Sequence, residues 1–269
     1  MEDQVYIPRE KPLKNAVQLF WEINRKNTGL SKEVIVPKGI VEIVFNFSSE
    51  VAFNSQLYNE TFKIPKCFIQ GYHTCPITLD LPDSQSLFGV VLQATATRSL
   101  FQVPAGEFAR QCIDLTLVDP AFNTLWHQLA EKETFQERTI YFSDWLFKRL
   151  SSLTDFELAI NELLCMQVNK TLDVPTLSDW LCYSPRHLSR IFYGLTGMNT
   201  ENTLLYLKYR KALDLIHYSN LSLTRIAYAC EFSDQSHFIK TFKRFTSITP
   251  KAYQSKKSNV AGHLFEYVR

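Results

Sequence analysis

No apolar run in this 269-residue chain approaches the roughly eighteen residues that a bilayer-crossing helix requires, so a membrane span is not expected. The opening stretch, MEDQVYIPREK, lacks a basic segment followed by an apolar core, so no secretory signal is expected and the chain reads as cytoplasmic. Cysteine occurs at Cys67, Cys75, Cys112, Cys165, Cys182 and Cys230, and no two of these stand at the close paired spacing of a zinc or redox motif. Cys182 and Cys230 fall in apolar helical runs and read as buried thiols. His73, flanked by Cys67 and Cys75, lacks a fourth ligand at useful spacing, so no metal site is expected. Also missing are a Ser/His/Asp set, a phosphate-cradling glycine loop and paired carboxylates at informative spacing. Neither enzymatic activity nor a cofactor is therefore expected.

What is present is ordinary globular composition, 45% hydrophobic and 21% charged, in a chain long enough for two domains with separate cores. The net charge of +2 conceals an asymmetry. From Asp155 onward there are 14 lysines and arginines against 10 acids, whereas the preceding part has 15 against 17. Lys240, Lys243, Arg244, Lys251, Lys256 and Lys257 run between Asp234 and Glu266 with no acid among them. Such a patch suits a phosphate backbone, with Lys243, Arg244 and Lys251 as the candidate phosphate contacts, and it also suits a plain solvated surface.

Residues 1–152 read as mixed strand and helix. Leu13, Val17, Phe20, Trp21 and Ile23 have near-helical spacing, predicting an early helix that ends near Asn27 to Gly29. Strand-like runs follow at Val34–Val36, Ile40–Phe47, Phe62–Ile64, Phe68–Tyr72, Ile77–Leu81 and Leu87–Leu92, which predicts a small barrel or sandwich. Helical spacing resumes at Ala121–Ala130 and Gln136–Leu150, either as a dimer seam or as a cover for the sheet. From Leu153 the chain reads as helical to its end, with a domain boundary in Leu150–Asp155, giving domains of 1–152 and 153–269. The fold class is α+β, with an all-α second part.

That second part repeats one pattern. Pro175–Gly197 and Leu223–Thr246 each combine a helix, a polar turn and a second amphipathic helix, the grammar of a helix-turn-helix. In the first unit Ser184 and Pro185 make an N-cap and first helical residue, Leu188, Ile191, Phe192 and Leu195 mark the buried side, and Arg186, Ser189 and Arg190 fall elsewhere. Arginine's fork matches guanine O6 and N7, although phosphate contact or a surface ion pair is the competing role for Arg186 and Arg190. In the second unit Ser233 is the expected cap, Ile226, Ala227, Cys230, Phe238, Phe242 and Phe245 mark the buried side, and Gln235, Ser236 and Lys240 face outward. Gln235 suits adenine, Lys240 suits guanine or phosphate, and Ile239 suits either a thymine methyl or partial burial. His237 reads as a surface or packing histidine. Between the units, Thr200 to about Tyr218 contains no proline or glycine and, as a helix, spans roughly 28 Å, near the repeat of about 34 Å between successive major-groove faces.

These residues carry a family resemblance. Ser184–Phe192, Gly197, Arg210-Lys211-Ala212, Ile226-Ala227, Phe232–Phe238, Phe242-Lys243 and Thr249-Pro250 make the stretch from about Leu158 to Gln254 similar to the DNA-binding domain of the AraC/XylS family of bacterial transcription regulators. The resemblance implies base contacts by Arg186, Ser189, Arg190, Gln235, Ser236 and Lys240, and an ion-pairing Arg210 that holds the linker helix. Two positions depart from the family pattern: Glu231 before Phe232 and Thr246 after Phe245 stand where glycine is usual. The N-terminal part resembles, more faintly, the cupin-like sensor domains of that family, on the segment Pro37–Phe45. Phe45, Phe47, Phe53, Phe68, Tyr72 and Phe88 are candidates to line an effector pocket there, or else plain core. The expectation is a sequence-specific DNA-binding regulator whose main partner is double-stranded DNA, with RNA polymerase, a small-molecule effector and a second copy forming a homodimer as further candidates. The rival is a small-molecule-binding or enzymatic cupin-like protein whose helical tail serves protein contacts.

Overall fold

The structure is a computed structural model that describes residues 2–26, 29–48, 54–57, 60–109, 111–165 and 172–267. The chain opens with β1 (Glu2–Tyr6), the single turn α1 (Leu13–Ala16) and the long β2 (Val17–Lys26). Then come β3 (Leu30–Ile35), β4 (Val41–Asn46), β5 (Asn54–Leu57), β6 (Glu60–Lys63), β7 (Cys67–Gln70), β8 (Ile77–Asp80) and β9 (Ser84–Leu92). After α2 (Ala96–Phe101), a 3₁₀ turn over Ala105–Phe108 and β10 (Cys112–Asp114), the helices α3 (Leu115–Val118), α4 (Ala121–Ala130) and α5 (Phe135–Phe147) complete this part. The remainder is α6 (Asp155–Leu164), α7 (Val174–Leu181), α8 (Pro185–Thr196), α9 (Thr200–Tyr218), α10 (Leu223–Ala229), α11 (Gln235–Thr246), α12 (Pro250–Lys256) and a last strand, β11 (His263–Tyr267).

The strands form two antiparallel sheets, one of six in the order β1-β2-β9-β4-β7-β10 and one of five in the order β11-β3-β8-β5-β6. Over β4, β7 and β9 the six-stranded sheet is covered on both faces. Phe20, Ile43, Phe45, Cys67, Ile69, Phe88 and Val90 join the main core, where Phe142 of α5 meets Phe20, Phe45 and Phe88 at ring-centroid distances of 6.1, 5.8 and 6.4 Å. Their strand neighbours Trp21, Glu42, Val44, Phe68, Gln70 and Leu87 point the other way, into a cavity enclosed by the second sheet. Alternation by two residues sends each strand's side chains to opposite faces, and here both faces are buried.

That double burial explains the first correction. Leu13–Ile23 is not a helix: after one turn the chain extends as β2, between β1 and β9. Apolar residues needed on both faces of a strand imitate helical spacing, and pairing with two neighbours decides for the strand. Trp21 stands opposite Gly89, and a Cβ there would collide with the indole, so the small residue makes room for Trp21 over the sheet. The expected end of that helix at Asn27 lies outside the described residues. A second correction concerns the C-terminus, which is not helical throughout: β11 returns to pair with β3 as an edge strand. The six expected strands are all present, and the helices after Pro120 lie on the sheet through Phe122, Leu125, Leu129, Phe142 and Leu146. β1 and β5 carry too few alternating apolar residues to stand out, and β10 is three residues long.

The helical part is fastened to the sheets at several points, and one continuous apolar cluster runs through both. From α9, the Tyr206 hydroxyl donates to the His73 carbonyl at 3.1 Å and the Tyr209 hydroxyl to the Pro37 carbonyl at 3.0 Å. Thr95 and Asn161 of α6 bond through their buried side chains, with N···O and O···O distances of 2.8 and 3.0 Å. Gly106 lies against the backbone of Tyr193 and Gly194 on α8, so closely that a Cβ would strike it. His73 sits at this junction: its Nδ1 donates to the Cys75 carbonyl at 2.7 Å, and burial lowers its pKa from 6.5 to about 4. Unfolded, the same imidazole takes up a proton below pH 6.5 that the folded protein refuses, so the unfolded state binds more protons in that window and stability falls with pH. The expected loss from His73 is about 3 kcal/mol by pH 4. Urea unfolding between pH 7 and pH 4 measures it; a His73→Gln variant with as steep a decline as the parent would remove the attribution.

Candidate nucleic-acid interface and sheet cavity

The two helix-turn-helix units are built alike, down to single hydrogen bonds. In the first, α7 ends on Cys182 at φ +56° with the Tyr183 amide returning to the Ser178 carbonyl at 3.1 Å. In the second, Glu231 adopts φ +57° and the Phe232 amide returns to the Ala227 carbonyl at 3.0 Å. This is a left-handed turn closing each first helix, and neither residue is glycine. Cys182 is therefore an exposed turn residue, contrary to the expectation of a buried thiol, while Cys230 is buried as expected. Ser184 then caps α8 by accepting from the His187 amide at 3.3 Å, with Pro185 at the first helical position. In the second unit the cap is Asp234, not Ser233: its carboxylate accepts from the His237 amide at 2.8 Å. A carboxylate is also favoured there by the positive end of the helix.

The second helices end alike too. Thr196 and Thr246 are buried, each hydroxyl donates to the carbonyl four residues back at 2.8 Å, and each then accepts from the amide two residues on. Gly197 at φ +72° and Ser247 at φ +63° follow as left-handed caps. The position equivalent to Gly197 is thus Ser247, and Thr246 is an ordinary helical residue rather than a departure from glycine. α9, residues 200–218, starts at Asn199 and joins the two units as one uninterrupted 19-residue helix.

On these frames Leu188, Phe192, Phe238, Phe242 and Phe245 are buried, Ile191, Leu195 and Ile239 half-buried, and Arg186, Arg190, Gln235, Ser236 and Lys240 exposed. Ser189 is half-buried. Gln235 and Ser236 occupy the first turn of α11 and Arg186 that of α8. Arg190 also borders a groove shared with Arg98, Pro104, Glu157 and Gly194, where α8 meets the N-terminal part. Lys243, Arg244 and Lys251 are exposed. Arg244 additionally reaches Asn202 of α9 at 3.3 Å and lies 5.4 Å from the Phe245 ring centre, so it braces α11 as well. His237 is exposed, with Nδ1 3.1 Å from the Ser233 hydroxyl. Arg210 makes no ion pair among the described residues; it donates to the Leu164 carbonyl at the end of α6 at 2.6 Å.

The cavity between the sheets has a volume of about 290 Å³. Of the proposed aromatic lining only Phe68 faces it; Phe45, Tyr72 and Phe88 are buried in the main core, Phe47 packs on Trp126, and Phe53 lies outside the described residues. The reason is register: Phe45 and Phe88 are cross-strand partners on the helix-covered face, one residue out of phase with Val44 and Gly89. Walls of Trp21, Val44, Phe68, Ile35, Leu79 and Phe265 surround a polar end formed by Glu42, Gln70, Glu33, Lys38 and His263. Glu33 accepts from His263 Nδ1 at 2.6 Å while Lys38 stands 3.1 Å from Nε2, an arrangement that holds the imidazole neutral. Burial, then the Lys38 charge, lower the His263 pKa accordingly. Glu22 and Arg25 are held by ion pairs to Arg138 and Asp3. Among the described residues, Gln70 Nε2 is buried with no hydrogen-bond partner. The signal in the sequence was the i, i+2 pairs Glu42/Val44 and Phe68/Gln70, which mark one face of each strand.

No described helix is long and apolar enough to cross a membrane, and no described group of three or more His, Cys, Asp or Glu could hold a metal ion. Residues 177–256 match the family described as helix-turn-helix domain, and residues 4–114 match a domain of unknown function (DUF6597). The HTH-type transcriptional regulator GlxA of Rhizobium meliloti (strain 1021) is 33% identical over 102 residues, covering 38% of this chain and 32% of its own. The HTH-type transcriptional activator RhaR of Cronobacter sakazakii is 30% identical over 159 residues, covering 57% of this chain and 56% of its own. The chain thus spans about a third to just over half the length of these relatives. Among solved structures, ToxT from Vibrio cholerae covers 95% of this chain and 98% of its own at 12% identity, with a TM-score of 0.49. Residues 177–256 are accordingly similar to the helix-turn-helix domains of transcription regulators, and residues 4–114 to a domain whose function is unknown.

Proposed function

We propose that the protein is a sequence-specific DNA-binding transcription regulator that presents α8 and α11 to successive major grooves of one duplex. The observation that carries this reading is the duplicated frame: two capped, proline- or aspartate-started helices, each with exposed arginine or amide side chains on its first turns, joined by one stiff helix. In it Arg186, Ser189, Arg190, Gln235, Ser236 and Lys240 contact base edges, and Lys243, Arg244 and Lys251 contact phosphates. The sheet cavity receives a small-molecule effector, whose binding shifts the populations of domain arrangements that place the two helices productively.

Sequences selected from a random duplex pool by the whole chain supply the test. Arg190→Ala and Gln235→Ala each weaken binding to the selected site by about 1–3 kcal/mol, roughly 5- to 150-fold, and leave binding to random duplex within about twofold. Equal losses on selected and random DNA would reassign both side chains to the backbone.

A further inference from the structure

One wall of the sheet cavity does not come from the N-terminal part at all. Val260, His263 and Phe265, beyond the second helix-turn-helix, line it together with residues of both sheets. The path between is continuous. Lys257 Nζ donates to the Ile216 and His217 carbonyls at the end of α9, both at 2.9 Å. The Gly262 amide donates to the Tyr253 hydroxyl at 2.9 Å, and the Gly262 carbonyl accepts from the Val36 amide at 2.9 Å. β11 then pairs with β3, placing His263 and Phe265 on the cavity face beside Glu33 and Ile35. Tyr253 itself is buried against Phe242 of α11, with ring centres 5.8 Å apart. A chain of direct contacts therefore runs from the cavity through β11, Gly262 and Tyr253 to α11.

The polar end of the cavity narrows the occupant. Glu42 and Gln70 are cross-strand partners in β4 and β7, and both face the cavity. Among the described residues, Gln70 Nε2 offers a donor with nothing to receive it, and Glu42 a carboxylate with no ion-pair partner. Lys38 and Glu33 are engaged with His263, Arg25 with Asp3, and Glu22 with Arg138. An anionic head would satisfy Gln70 and be repelled by Glu42; a cationic head would satisfy Glu42 and leave Gln70 unpaired. An uncharged group that both accepts and donates, on an apolar body, meets both demands in a chamber whose other charged side chains are paired.

We propose that residues 257–267 form a strap that ties α11 and α12 to the sheet cavity, and that an apolar molecule bearing a neutral hydroxyl or primary amide, by filling the cavity, tightens that strap. The proposal rests on the reading of α11 as a DNA-reading helix only for its consequence, and its first readout involves no DNA. Hydrogen exchange of residues 257–267 in the whole protein is followed with 1-octanol, octylammonium or octanoate as probes at equal free concentration. Octanol slows exchange in this segment at least fivefold, while the two ions slow it less than twofold. Phe265→Ala, which keeps the backbone ladder and opens the wall, and a chain ending at Lys257 both lose octanol binding measured by calorimetry. Octanoate acting as well as octanol, or octanol binding without any change in 257–267, overturns the proposal, as does undiminished octanol binding by both variants. In a second arm, octanol changes affinity for the selected duplex at least fivefold in the parent and less than twofold in Phe265→Ala, as reciprocal coupling requires. A parent that responds in exchange but binds no duplex would fail the DNA reading and leave the ligand site standing; a parent that binds duplex with no response to octanol would do the reverse.

Discussion

Phe242→Ala lowers the unfolding free energy by about 3–5 kcal/mol, the range for removing a large ring from a closed core. Phe242 is fully buried on α11 and its ring lies 5.5 Å from Tyr209, 6.0 Å from Phe238 and 5.8 Å from Tyr253. Those three belong to the linker helix, the same helix one turn earlier, and α12, so one deletion loosens α11 against both α9 and α12. Half of a marginal protein's stability is at stake, because domains are stable by only about 5–15 kcal/mol. Urea unfolding at neutral pH gives the number directly. A loss below about 1 kcal/mol would mean that the neighbouring aromatic rings close over the space, and α11 would not owe its position to this ring. Phe242→Leu separates shape from mere absence, since it keeps most of the apolar volume and should cost far less.

The second large effect is electrostatic. With Lys243, Arg244 and Lys251 all replaced by alanine, the slope of log affinity against log salt concentration becomes shallower by about 2.7, and affinity at 0.1 M salt falls on the order of 500-fold. The loss is the same on selected and random duplexes, which distinguishes it from the expected behaviour of Arg190→Ala and Gln235→Ala. Each cation releases its share of condensed counterions only if it meets a phosphate, so the slope counts contacts. Arg244 is the weakest of the three assignments because it already braces α11 against Asn202 and Phe245. A slope change near two, with the Arg244→Ala single variant losing stability rather than salt dependence, would remove it from the phosphate set.

The helical half was readable because its instructions are local. Ser184-Pro185 supplies an N-cap and a first helical residue, Leu188, Phe192, Phe238, Phe242 and Phe245 declare the buried stripe by their spacing, and the linker helix runs over the residues its composition marks. Two of the corrections there are shifts of one position. The expected cap Ser233 gives way to its neighbour Asp234, whose backbone is extended and whose carboxylate reaches the His237 amide. Ser247, not Thr246, takes the left-handed position at the end of α11, and a left-handed residue carries no mark of its own in a polar stretch.

The sheet half resisted reading for a different reason. Its strands are buried on two faces, so Phe45 and Val44, or Phe20 and Trp21, look equivalent along the chain while one goes to the helices and the other to the cavity. A shift of one residue exchanges the faces, and only the pairing of β4 with β7 and β9 sets that phase. Hence Phe45, Tyr72 and Phe88, expected around an effector, are core residues, while Phe68 faces the chamber on the same strand face as Gln70.

Local spacing and capping thus dictate α8, α11 and their connector, since each rule acts within one or two turns. The cavity, its polar end and the strap at His263–Tyr267 arise from strands that meet across more than two hundred residues, and no local pattern encodes that β11 will lie beside β3. Pairing brings His263 within 2.6 Å of Glu33, and that encounter, absent from either segment alone, joins the segment after α12 to the wall of the chamber.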